Sequence, residues 1–196
     1  MKTEQSQTFE TYNHRILWSA AQRNLSMTES PHLEDKLYSL GAMFLFFAAF
    51  EGYLNWLGSR LAPEVWKHER EFFSRSPYQG TLGKYRFLAK ILCLRDHDPS
   101  KRPFQTATKL QELRDFIAHP KPEKGQRQVP VKYGHFPHGY QCQLAKKVSL
   151  EAARRARDDI EGLAQELHVQ ARRRYAENVP EQDAFSALLG IDITDT

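Results

Sequence analysis

Cysteine is nearly absent from these 196 residues: Cys93 and Cys142 stand far apart, with no CxxC pair. That excludes a disulfide framework and a thiolate metal site, and fits a reducing, cytoplasmic compartment. The amino-terminal "MKTEQSQTFETYNHR" has no apolar core of the kind an export signal needs, so no export is expected. Long hydrophobic runs are also missing. The longest, "AMFLFFAAF" at 42–50, covers about half of what a bilayer span requires, so it reads as a core segment and no membrane partner is expected. No glycine-rich phosphate loop, serine elbow or paired-carboxylate cluster for Mg²⁺ is present. No cofactor is therefore expected. His135, His138 and Cys142 offer only three zinc ligands on an irregular segment, so they read as loop residues and no metal site is expected.

What is present is helical pattern. Hydrophobic residues make up 40% and charged residues 27%, which places the chain among globular proteins rather than disordered or fibrous ones. Its length predicts one domain over 1–196 with a core of its own. In "TFETYNHRILWSAAQRNL" the three- and four-residue spacing of Phe9, Tyr12, Ile16 and Ala20 predicts one helical face. The stretch 32–61 is apolar on almost every side, as the central helix of a bundle should be, with Ser30-Pro31 as its start signal. A short amphipathic piece at 63–73, a turn "SRSPYQG", and helices in "TLGKYRFLAKILCL" and "FQTATKLQELRDFIAH" follow. A last long helix is predicted over about 149–176, with Glu151 in its first turn and Arg172, Arg173 and Arg174 in its final one. Strand-like alternation is confined to "QVPVKY", which contains a proline. The expected fold class is all-α: an up-down bundle of about five to six helices with one long irregular basic loop at about 120–147.

That loop holds the charge. Lys121, Lys124, Arg127, Lys132, Lys146 and Lys147 face only Glu123, a net +5 where the whole chain is +4. Tyr133, Phe136 and Tyr140 are interleaved with these cations, which suits phosphate attraction and base stacking. Lys121, Lys124, Arg127, Lys132 and Tyr133 are the candidate RNA-binding residues.

Immediately before the loop, "LQELRDFIAHPKP" carries Arg114, Asp115 and His119 into Pro120. Basic residues at a helix C-terminus also oppose the dipole, and a His before Pro also serves as a stop, so spacing alone makes no active site. Context adds three points. Arg114 and His119 are five residues apart, about 140° around a straight helix, and share a face only if the helix ends between them. Pro120 disfavours helical backbone at His119 and so frees that side chain from the helix axis. Asp115 precedes His119 by four residues, a spacing at which a carboxylate can orient an imidazole. With the basic loop, these groups suit phosphodiester chemistry. Upstream, Glu51 and Asn55 lie four apart on one face of the apolar helix; a carboxylate buried there needs a cation, for which Lys84 and Arg114 are the candidates.

"LRDFIAHPKP" resembles the Arg-x4-His motif of the HEPN superfamily, all-α domains found among metal-independent RNases of defence, CRISPR and toxin–antitoxin systems. The residue after Arg in that motif is polar, and here it is Asp115. "FFAAFEGYLNWL" is similar to the apolar helix with inset Glu and Asn of bacterial HEPN groups, and "GKYRFLAKIL" sits where they place a Lys-bearing helix. The resemblance covers about 33–122. It implies cleavage of single-stranded RNA by its own 2′-hydroxyl, with His119 as general acid or base, Arg114 on the phosphate and Asp115 fixing the imidazole, leaving a 2′,3′-cyclic phosphate. Glu51, Asn55 and Lys84 would support the site. It also implies a homodimer that supplies two motifs, and an antitoxin or other regulatory protein as partner. Where the toxin branch commonly carries Tyr two residues after His, this chain has Lys121. Two other functions compatible with the residues are a non-catalytic dimer that binds RNA, nucleotide or protein, and a structural helical adaptor.

Overall fold

The structure is a computed structural model and describes residues 8–28, 35–119, 147–179, 181, 184–185 and 191–194. Seven helices occur among them: α1 (Asn13–Met27), α2 (Asp35–Leu61), α3 (Pro63–Lys67), α4 (Glu69–Phe72), α5 (Gly80–Ile91), α6 (Phe104–Ala118) and α7 (Leu150–Arg174). The class is all-α. The piece expected as one helix at 63–73 divides at His68 into α3 and α4. Ser30-Pro31, "QVPVKY", the zinc-spaced residues and the RNA-binding candidates Lys121, Lys124, Arg127, Lys132 and Tyr133 lie outside the described residues.

α2 is the axis of the bundle. Leu37–Leu61 is by length and composition apolar enough to cross a membrane, yet Phe46, Phe47, Phe50, Tyr53, Leu54 and Leu57 are buried inside the protein. α1, α3, α5, α6 and α7 all pack on it. α7 lays Ala153, Ala156, Ile160, Leu163, Ala164, Leu167 and Ala171 against the core at three- and four-residue spacing. Ser149 caps it, its hydroxyl accepting from the Ala152 N–H at 3.1 Å.

α1 departs from expectation. Thr8–Thr11 is a strand paired antiparallel with Ile191–Thr194, Thr8 opposite Thr194, and the helix begins only at Asn13. Its inward face is His14, Trp18, Ala21 and Leu25, with Arg15 beside it, while Ile16 is 50% exposed and Ala20 is exposed. Of the predicted face, Ile16 and Ala20 are thus turned outward, while Tyr12 is buried. The polar His14 and Arg15 are buried because Tyr53, Trp56 and Phe185 surround the His14 ring and Tyr12 lies under the Arg15 guanidinium.

Two glycines bring the short helices onto the bundle. A Cβ on Gly58 would sit 2.0 Å from the Trp66 ring, and one on Gly83 would sit 1.9 Å from the Tyr78 carbonyl. Only glycine lets α3 fold back over α2, and the 74–79 turn lie on α5, this closely.

Candidate active site

α6 runs unbroken to Ala118, where His119 leaves helical geometry at φ −130° and ψ 60°. Its N–H still closes the last turn, donating to the Asp115 carbonyl at 3.1 Å, while its side chain is exposed. A following proline disfavours the α region, and His119 has left it. One turn earlier, Arg114 is two-thirds buried, and its Nη1 lies 3.0 Å from the Asp115 carboxylate. That pairing differs from the expected one: among the described contacts, Asp115 holds Arg114 and not His119. The long guanidinium reaches its sequence neighbour, whereas the imidazole has left the helical track that would have carried it over Asp115.

At this turn, two polar atoms lack hydrogen-bond partners. They are Arg114 Nε and, three residues back on the same face, Gln111 Oε1, both buried. Buried polar atoms of this kind mark places where a ligand, water or partner completes the bonding.

The face of α6 that carries Leu110 and Leu113 borders a groove of about 410 Å³. Met43, Leu110, Leu113 and Ala152 give it an apolar floor, and Lys109, Lys147 and Arg155 outnumber Glu112 at its rim. Lys147, the described end of the basic segment, brings one of its cations to this rim beside the first turn of α7.

The supporting residues do meet. Lys84, 5% exposed, donates to Asn55 Oδ1 at 2.8 Å and lies 3.9 Å from the Glu51 carboxylate. Its closest anion is Glu69 of α4, which sequence reasoning missed. Glu51 and Glu69 side chains are each about a third exposed, so the cation is the deeply desolvated member and the anions stand at the rim. Lys84 is therefore the partner of the Glu51–Asn55 face, and Arg114 is not among its described contacts. A buried ammonium costs several kcal/mol unless paired, which explains three acceptors around one Nζ. The need for a cation opposite Glu51 was legible. Glu69 was not, because α4 reaches Lys84 only through the fold-back at Gly58.

Searches of family models, curated proteins and solved structures give no match to this chain.

Proposed function

We propose that this protein is a metal-independent endoribonuclease of the HEPN kind, acting on single-stranded RNA in the cytoplasm with Arg114 and His119 as its catalytic pair. The carrying observation is the end of α6, where His119 is exposed and off the helix track directly after a turn whose Arg114 is held by Asp115. Arg114 would grip the scissile phosphate and stabilise charge on the pentacoordinate phosphorus; the guanidinium fork suits two phosphate oxygens. His119 would take the proton of the attacking 2′-hydroxyl in one copy and protonate the departing 5′-oxygen in the other, a role worth about 10²–10⁴-fold. The 2′-oxygen bonds to phosphorus as the P–O5′ bond breaks, leaving a 2′,3′-cyclic phosphate and a 5′-hydroxyl. Asp115 is then a positioning residue for Arg114. Leu37 and Phe44, a helical repeat apart on α2 and 71% and 37% exposed, support a second copy as the source of the second motif.

A second reading, a module that binds RNA without cutting it, is favoured by the basic rim of the α6–α7 groove. One experiment separates the two. Purified protein is incubated with EDTA and a labelled unstructured RNA, beside folded Arg114→Ala and His119→Ala variants. Cleavage by the wild type alone, with cyclic-phosphate ends, is the expected result. Intact RNA held in a salt-sensitive complex would replace the enzyme with the binding module.

A further inference from the structure

A second cavity opens at the other end of α6, about 730 Å³ in volume, which is within the range of small-ligand sites. It is built where α5 ends. Leu92 closes the helix, Cys93 takes a left-handed conformation at φ 54°, and the Leu94 N–H returns to the Ala89 carbonyl at 2.9 Å. This reversal carries Asp96 and His97 back beside Arg86 and Lys90 of the helix they have just left.

The lining is selective in its chemistry. Arg86 and Lys90 are four apart, on one face of α5, and neither has an ion pair among the described residues. Elsewhere the exposed guanidinium of Arg102 is gripped by both oxygens of Asp159, at 2.8 Å each. Arg86 is held instead by the Phe104 ring, 5.0 Å away, which fixes the guanidinium without neutralising it. His97 is positioned too: its Nε2 lies 2.7 Å from Glu166, which also accepts from the Tyr85 hydroxyl at 3.2 Å. Burial, and then the Glu166 charge, push the Tyr85 hydroxyl far up, so it remains a donor to that carboxylate. With Nε2–H donating to Glu166, Nδ1 is the imidazole nitrogen left for a ligand, as an acceptor for its hydroxyls. Asp96, on the same lining, can accept from hydroxyl or amino groups, and Tyr78 presents a ring.

We propose that this cavity binds a phosphomonoester of a small hydroxylated molecule, with the phosphate on Arg86 and Lys90 and the hydroxyls on Asp96 and His97 Nδ1. Two cations and one carboxylate in one cavity match an anionic group joined to hydrogen-bond donors, a division of roles that neither a bare anion nor a neutral sugar would use fully. Phe104, the α6 residue against Arg86, stands ten and fifteen residues before Arg114 and His119, about 15 and 22 Å at 1.5 Å per residue, so this site is independent of the ribonuclease reading. A ribose phosphate carries the required chemistry whether free or within a nucleotide.

Calorimetric titration of the full chain at low salt with ribose 5-phosphate, AMP, inorganic phosphate and ribose tests this. Saturable binding of both phosphorylated compounds is expected, with ribose silent and inorganic phosphate weaker. AMP binding more tightly than ribose 5-phosphate would assign the nucleotide through Tyr78; equal affinity would assign the sugar phosphate. Lys90→Glu, at an exposed side chain without a partner, is expected to weaken binding at least tenfold with the circular dichroism unchanged. Asp96→Ala is expected to lower ribose 5-phosphate to the affinity of inorganic phosphate. Absence of saturable binding at millimolar ligand, or an affinity that Lys90→Glu leaves unchanged, would overturn the proposal.

Discussion

Two sets of ionisable groups among the described residues differ in how completely the fold satisfies them. In the interior, Lys84 has three acceptors, and His14 is enclosed by four aromatic rings. At the end of α6, Arg114 has one described partner and a buried Nε with none, and His119 is exposed. Groups fully occupied by the fold serve the fold, while groups with unused bonding capacity on a helix end remain available to a substrate. The largest effect expected from breaking this contrast is catalytic. Arg114→Ala and His119→Ala should each lower RNA cleavage by about 10²–10⁴-fold while shifting stability by no more than about 0.5 kcal/mol, read by product-end analysis and urea denaturation. A large loss of stability in either variant would move these residues into the interior class.

His14 gives the converse. Burial, with Arg15 second, lowers its pKa from 6.5 to about 4. The unfolded chain therefore binds a proton that the folded chain refuses, and the stabilising term is complete above pH 6.5 and lost as pH falls towards 4. Between pH 7 and 4.5 the wild type should lose about 2–3 kcal/mol relative to His14→Gln, measured as the difference between their denaturation midpoints at the two pH values. Next in size is the Lys84 cluster. Glu69→Gln leaves the buried ammonium with Asn55 and a more distant Glu51, and should cost about 2 kcal/mol. Lys84→Met should cost less, because the two carboxylates it abandons are already a third exposed to water. The reverse order would mean that the anions, and not the cation, bear the desolvation.

How far each region was legible follows from the same physics. α2 and α7 could be read because their signals are local: a continuous apolar stretch in one, and in the other an acidic first turn and a basic last turn. The α6 stop was legible through Pro120, and a cation opposite Glu51 through the cost of a buried carboxylate. The face of α1 was not. Its apolar Ile16 points outward while His14 and Arg15 are buried, a choice made by rings from α2 and from near residue 185. The pairing of Thr8–Thr11 with Ile191–Thr194 joins segments some 180 residues apart, which no local period encodes. The cavity near His97 was equally hidden, since Glu166 reaches that imidazole from α7, 69 residues on.

Asp115 sits on the boundary between the two classes, and the smallest change tests it. Its carboxylate lies 3.0 Å from Arg114 with half its side chain exposed, so Asp115→Asn should alter stability by less than about 0.5 kcal/mol. Its effect on cleavage depends on which residue it positions. If Asp115 serves Arg114, its loss matters only while the guanidinium is present, and adding Asp115→Asn to Arg114→Ala should leave the rate of the single Arg variant unchanged. If it serves His119 in the substrate complex, the two losses should multiply, and Asp115→Asn should displace the pH–rate profile, because an imidazole would lose the carboxylate that favours its protonated form. The 3.0 Å pairing in the structure makes the first outcome the expected one. A multiplicative loss with a displaced profile would show that substrate draws Asp115 away from Arg114 and onto the histidine.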